Sequence, residues 1–322
     1  MRRCMAVLMV IFIMLSIGSL TIGAEEKYPT RPVTFIITSG IGGMTDASAR
    51  LLADKMKKII GQPIAVVNRP GGGGLVGLNA FLAKKTDPYT LCVTTTTHLN
   101  APPFLKAKPL DMNEFSFVGS YMPQERVLFA QANAPYNTLE EFIDYVKKHP
   151  GKVSAGSGNC IWALEVIKSI AVKEGLDMNY ILFKSGADAS SNILGGHVDV
   201  AETGVGTPAF QAARAGKLKI IVDLGSGTVP YFPEVENVID KGYPFCSRIE
   251  YGIVMHAGVS EKIRQYWEDV LRRVMEDPDL LQKFLNLGLV PRFLPGTLWK
   301  KVAIRDVNMA YDLVEYNKAL EK

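Results

Sequence analysis

The chain has 322 residues, enough for one large or two medium domains, and its 48% hydrophobic and 21% charged content is ordinary for a globular protein. Its formal charge of +4, from 36 basic and 32 acidic residues, is too small to mark a nucleic-acid-binding protein by bulk charge.

Residues 1–24 read as a cleaved export signal. Arg2 and Arg3 give a positive start, residues 5–20 are apolar, and small residues precede the expected cleavage point after Ala24. The alternative is an uncleaved anchor, but the apolar core is short for a membrane span. No lipobox cysteine stands at the cleavage point, and no later stretch is apolar enough to cross a bilayer, so an exported, soluble mature protein is expected.

Residues 33–38 form an apolar, β-branched run between Pro32 and Gly40 and predict a buried strand. Gly40, Gly42 and Gly43 break it. From Met44 the pattern turns helical, with Ala47, Leu51, Leu52, Met56 and Ile59 spaced by three or four, and Gly61 and Pro63 close the helix. A strand turning through glycines into a helix presents bare N–H groups at the positive helix end, which suits an anion or carboxylate. The alternative is a tight turn whose glycines only supply positive φ. It is not a P-loop, since no lysine follows Gly43, and it lacks G-x-G-x-x-G.

A second strand at 64–67 runs into the glycine turn 71–74 and a short helix at 76–84, and a third strand covers 90–97. This β-α-β-α-β series predicts a parallel sheet. Residues 100–125 read as proline-rich and irregular, followed by a strand at 127–131. Thr138 and Glu141 form a capping box opening a helix at 139–148. A second series follows: strand 153–155, glycine turn 156–159, helix 161–174, strand 180–183, helix 187–194, strand 198–202, helix 208–215 and strand 218–224. A strand returns at 251–255, and the tail from Ser260 is helical, with Pro278 and Pro295 marking fresh starts. Two such series, with glycine turns at the carboxyl ends of strands, predict two lobes with a ligand cleft between them.

Cys92, Cys160 and Cys246 remain after the signal and allow at most one disulfide; small buried residues with no required bridge is the favoured reading. His98, His149, His197 and His256 are scattered without metal-ligand spacing, so neither metal nor cofactor is expected. Ser39, Ser157 and Ser185 lie outside any G-x-S-x-G elbow, which argues against an enzyme. Asp46 could pair with an amino group on a ligand, but its first-turn position suits the helix dipole. Trp162 could cover an apolar ligand or anchor the core.

With these residues in view, the chain resembles the substrate-binding proteins of tripartite tricarboxylate transporters, the Bug-type periplasmic receptors. The motifs, in order, are Tyr28-Pro29-Thr30-Arg31-Pro32, Gly42-Gly43-Met44-Thr45-Asp46 with Ala49-Arg50-Leu51-Leu52, Asn68-Arg69-Pro70-Gly71-Gly72-Gly73-Gly74, Asp87-Pro88-Tyr89-Thr90-Leu91, Pro150-Gly151-Lys152, Ser154-Ala155-Gly156-Ser157-Gly158, Leu194-Gly195-Gly196-His197-Val198-Asp199 and Ala215-Gly216-Lys217-Leu218. They cover nearly the whole mature chain. Departures fall at Thr38-Ser39, where the family has Pro-Phe, at Pro88, and at Gly158-Asn159-Cys160-Ile161-Trp162.

The resemblance implies an α/β, two-lobe type II periplasmic-binding-protein fold with a ligand cleft between the lobes. The expected division is 25–125 and 249–322 for lobe 1 and 126–248 for lobe 2. It implies a small carboxylate held largely by backbone N–H groups of two loops, Ser39 with Gly42, Gly43, Met44, Thr45 and Asp46, and Ser157 with Gly158, Asn159 and Cys160. Thr96, Lys184, Ser185, Gly186, Glu202 and Thr203 complete the expected site, with Lys184 as the clearest nearby cation for a second acid group. A monomeric periplasmic receptor delivering a mono- or dicarboxylate to membrane permease subunits is therefore expected. A sensor for a membrane signalling protein, or an exported enzyme, are the alternatives.

Overall fold

A computed structural model describes residues 28–158, 160–225 and 227–320. The export signal expected at 1–24 lies outside the described residues, as does Asn159. From Arg31 onward the chain is one compact unit. Its strands are β1 (Val33–Ile37), β2 (Ile64–Asn68), β3 (Thr90–Thr95), β4 (Phe115–Gln131), β5 (Val153–Gly158), β6 (Met178–Phe183), β7 (Val200–Gly204), β8 (Leu218–Asp223), β9 (Arg248–His256) and β10 (Leu294–Pro295). The α-helices are α1 (Met44–Ile60), α2 (Leu75–Leu82), α3 (Thr96–Leu99), α4 (Pro102–Leu105), α5 (Leu139–Lys148), α6 (Ile161–Glu174), α7 (Gly186–Leu194), α8 (Pro208–Arg214), α9 (Glu261–Val274), α10 (Pro278–Asn286) and α11 (Gly296–Leu320).

The strands run in the order β2-β1-β3-β9-β4-β7-β5-β6, with β8 and β10 also on β4. Pairing is parallel within β2-β1-β3 and within β7-β5-β6. It is antiparallel where β9 and β4 enter. The fold is thus α/β with two lobes, each a short parallel sheet closed by the long strands. β4 pairs with β9 as far as Glu125 opposite Arg248, then with β7 and β8 from Arg126 opposite Gly204 and Val127 opposite Asp223.

Local sequence explains the elements. β1 and β3 are almost wholly buried because helices cover both faces of their sheet, which is why they lack polar alternation. α1 buries Ala49, Leu52, Ala53, Met56 and Ile60 along one stripe. Gly61 ends it in the left-handed region at φ 68°, its N–H bonded to Lys57 O. Thr138 caps α5 by accepting from Glu141 N at 3.2 Å, although the Glu141 carboxylate reaches Asn137 N rather than Thr138. Ser260 and Asp277 cap α9 and α10. One core cluster joins Ile36, Leu78, Phe81, Cys92, Phe115, Phe117, Val254 and Trp299.

Three sequence expectations are corrected. Residues 115–125 are not irregular: they begin the 17-residue strand β4. Gly119, Pro123 and register shifts after Phe117 and Ser120 hide its alternation, and a proline ordinarily demotes a strand. The strand expected to reach Thr97 stops at Thr95, whose hydroxyl accepts from His98 N and starts α3. Gly156-Ser157-Gly158 is not a turn but the end of β5. Neither glycine has positive φ. A Cβ on Gly156 would meet the Phe183 ring at 2.6 Å, and one on Gly158 would meet Gly186 Cα at 2.7 Å, so close approach is what requires glycine there.

Candidate functional site

A cavity of about 40 Å³ opens between the start of α1, the end of β3 and the starts of α6, α7 and α8. By the same measure a water needs about 10–15 Å³, so the space has room for a few water-sized groups. Its wall on the α1 side is Ser39, Gly43, Met44 and Thr45, joined by Thr95, Thr97 and His98. The facing wall is Gly158, Cys160, Ser185, Gly186 and Thr207, and Arg126, Ile249 and Tyr251 of the long strands form the back.

The walls come close together. A Cβ on Gly43 would lie 3.9 Å from both Ser185 Cβ and Ser39 Oγ. No side chain caps α1, so its first-turn N–H groups are left for water or a ligand, whereas the start of α8 is held by Ser190 Oγ, which accepts from Ala209 N at 3.1 Å. Ser185 caps α7, accepting from Asp188 N at 3.1 Å. Cys160 holds the N-cap position of α6. Several helix starts therefore turn their positive ends toward one small space.

The first loop is braced from outside the cavity. Asp46 is buried and accepts from Gly42 N at 3.0 Å, Arg50 Nε at 3.0 Å and Asn68 Nδ2 at 2.9 Å. Burial pushes its pKa up, but the Arg50, Gly42 and Asn68 hydrogen bonds together hold it below the usual carboxylate value. Asn68 Nδ2 also reaches Ser39 O at 3.0 Å, which gives the asparagine of the Asn68-Arg69-Pro70 motif its physical role. Of the glycines that follow, Gly74 is required by packing: a Cβ there would run into the His98 ring, and Gly74 has φ +93°.

Among the side chains lining the cavity, Arg126 carries the charge. It is buried, its Nε paired with Glu202 Oε1 and its Nη1 3.5 Å from Gln124 Oε1. Glu202 Oε2 accepts from Ser157 Oγ at 2.6 Å. Burial opposes the guanidinium charge, but Glu202 beside it prevails and raises the Arg126 pKa. His98 is neutral: burial lowers its pKa to about 4, and its Nδ1 lies 2.7 Å from Thr38 Oγ1. Burial, with Glu202 added, raises the Cys160 thiol against the pull of Arg126. Two buried polar atoms of the lining have no partner among the described residues, Ser39 Oγ and Arg126 Nη2.

Of the residues expected from sequence, Ser39, Gly43, Met44, Thr45, Gly158, Cys160, Ser185 and Gly186 line the cavity. Gly42 and Asp46 stand behind it as loop bracing, and Thr96 is turned away, accepting from Glu250 N at 3.1 Å. Ser157 and Glu202 are buried behind Arg126. Thr203 is buried, its hydroxyl 2.8 Å from where a Gly186 Cβ would be. Lys184 is exposed and outside the lining, because burial begins only at Ser185. Trp162 is a core residue, 2% exposed. Cys92, Cys160 and Cys246 are free thiols, and among the described residues no cluster of potential ligands could hold a metal ion. No described helix is long and apolar enough to cross a membrane.

Sequence reasoning missed Thr95, Thr97, His98, Thr207, Ile249, Tyr251 and, above all, Arg126. A signal existed: a lone arginine preceding the apolar run 127–130 demands a buried partner. The acid that answers it, Glu202, sits in the neighbouring strand opposite Leu128.

Comparison with known proteins bears on the family and the fold. A family model described as the tripartite tricarboxylate transporter family receptor matches residues 48–307. The UPF0065 protein of the gbd 5' region of Cupriavidus necator is 27% identical over 292 residues, 90% of this chain and 88% of its own length. The structure of the periplasmic binding protein BugD superposes with a TM-score of 0.80 at 23% identity, covering 90% of this chain and 99% of that one. MatC from Rhodopseudomonas palustris, with bound malate, superposes with a TM-score of 0.79 at 23% identity, covering 89% and 100%. These likenesses establish the two-lobe periplasmic-binding-protein fold.

Proposed function

The chain belongs to the tripartite tricarboxylate transporter receptor family, and from that premise we propose that it is a periplasmic receptor that captures a small mono- or dicarboxylate and delivers it to the permease subunits of such a transporter. The observation that carries this reading is the cavity where the uncapped N-terminus of α1 faces the start of α7 across a few ångströms. Backbone donors at helix starts suit a carboxylate. The malate held by MatC is a molecule of the proposed class. The lobes on this reading are 25–125 with 249–322, and 126–248, the crossings falling at Glu125 and Arg248 where β4 exchanges partners.

The test is a thermal-shift series on the mature protein with mono-, di- and tricarboxylates, neutral sugars and amines. A ligand at a hundred times its Kd stabilises by about 2.7 kcal/mol, which is readily seen. A shift with one or more small carboxylates is expected. A shift with a sugar or an amine, and with no carboxylate, would overturn the assignment.

A further inference from the structure

We propose that Arg126 is the specificity-determining cation of the cavity, offering Nη2 to a carboxylate of the ligand while Glu202 holds the guanidinium in place and moderates its charge. This rests on the receptor reading above and adds to it a residue outside both glycine-bearing loops.

An arginine buried beside a glutamate is ordinarily a closed structural pair, with each donor satisfied inside the protein. Here the accounting does not close. A guanidinium carries five N–H donors and has no acceptor capacity. Nε is bonded to Glu202, and Nη1 has one long contact with Gln124 at 3.5 Å. Nη2 is buried with no partner among the described residues, on a residue that lines the cavity. A buried charged donor left unpaired is costly, and a ligand carboxylate would supply the acceptor. Across the same space Ser39 Oγ is likewise buried and unpartnered. A carboxylate has two oxygens, enough to accept from both.

Glu202 fits the second half of the role. Both of its oxygens are engaged, one by Arg126 and the other by Ser157 Oγ at 2.6 Å, and Ser157 also reaches Cys160 O at 3.0 Å. That pins Nε, and with it the plane of the guanidinium, so the free edge has one orientation. It also sets a negative charge directly behind the cation, which weakens its pull on an incoming anion. The two residues therefore act on affinity in opposite directions.

Calorimetric titration with acetate, lactate, pyruvate, succinate, malate and adipate tests this on the mature protein, Glu202→Gln and the double variant Arg126→Gln/Glu202→Gln. Both variants avoid leaving a lone buried carboxylate, and a cooperative melt confirms that each is folded. Glu202→Gln keeps the cation and removes its counter-charge, so the carboxylate bound by the wild type should bind several-fold tighter. The double variant should bind it roughly ten- to a hundredfold more weakly, the loss of one charge-assisted hydrogen bond. A purely structural pair predicts weakening in both, or no change in either, and each of those results overturns the proposal. If the wild type binds carboxylates and the double variant matches it, Arg126 is excluded while the receptor reading stands. If the wild type binds none of the six, both fall.

Discussion

Asn68, the last residue of β2, donates its amide to the Asp46 carboxylate in the first turn of α1, Nδ2 to Oδ1 at 2.9 Å. The same Nδ2 reaches Ser39 O at 3.0 Å, and Arg50 Nη2 reaches Asn68 Oδ1 at 3.1 Å. One side chain thus ties together both ends of the loop that forms the α1 wall. Asn68→Ala should lower stability by about 1–3 kcal/mol, since it leaves buried polar groups short of a partner. It should also weaken carboxylate binding about tenfold by loosening that wall. Thermal melts and calorimetry check both, and unchanged affinity would detach the brace from the site. The pH sign follows from Asp46: its depressed pKa gives stability that is present above the ordinary carboxylate value of 3.8 and is lost as pH falls through the lower folded value.

Two glycines in the site loops should both cost stability when substituted, but only one of them affinity. At Gly158 a Cβ would sit 2.7 Å from Gly186 Cα and 3.1 Å from Gly186 N, backbone against backbone. Gly158→Ala should cost about 1–3 kcal/mol of stability and push the start of α7 out of the cavity, reducing affinity. At Gly42 nothing lies within 4 Å, but φ is +80°. Gly42→Ala should cost about 1–2 kcal/mol through the backbone alone and leave affinity nearly unchanged. Melting curves with ligand titrations on both variants separate the two effects.

Asp223, at the end of β8, sets a different pH dependence. Burial pushes its pKa up to about 7, with Glu125 adding to the rise and the Gly225 N–H opposing it. Oδ1 accepts from Gly225 N at 2.8 Å, while Oδ2 is buried without a partner among the described residues. The folded protein therefore keeps a proton that the unfolded chain releases. Stability from this group is full below about pH 4 and is lost as pH rises toward 7. Asp306, raised by burial to about 6, acts in the same direction. Asp223→Asn retains an oxygen for Gly225 and removes the charge. It should gain on the order of 1–3 kcal/mol at pH 8 and little at pH 4. Denaturant titrations at the two pH values check this, and equal changes at both would contradict it.

Legibility in the sequence followed the range of the interactions involved. α1, α5 and α6 could be read almost to the residue, because apolar spacing, a threonine cap and glycine ends are local signals. β4 could not, because 17 residues serving two sheets need polar side chains such as Gln124 and Arg126 at buried positions. Local pattern reads those as loop. The α1 wall was legible for the same local reason, since Gly43 and Met44 belong to one strand–turn–helix unit. The back wall was not: Arg126, Ile249 and Tyr251 come from two strands far apart in sequence that meet only through the register of β4 with β9. Sequence points to Lys184 as the cation because it adjoins Ser185 and Gly186. Lys184 lies in the bend between β6 and α7, where adjacency does not fix which way a side chain faces, and it is exposed.

Calorimetric titration of Gly43→Val against the wild type asks whether a carboxylate occupies the space between α1 and α7. Gly43 has φ −73°, so a valine backbone is allowed there, and its methyl groups would extend from a Cβ already 3.9 Å from Ser39 Oγ and Ser185 Cβ. With the carboxylate giving the largest thermal shift, the wild type should bind one equivalent. The variant should still melt cooperatively, at a cost of about 1–3 kcal/mol for crowding a Cβ that lies 3.4 Å from Gly40 O, and show no measurable heat of binding. A folded Gly43→Val that binds with wild-type affinity would place the ligand elsewhere in the protein.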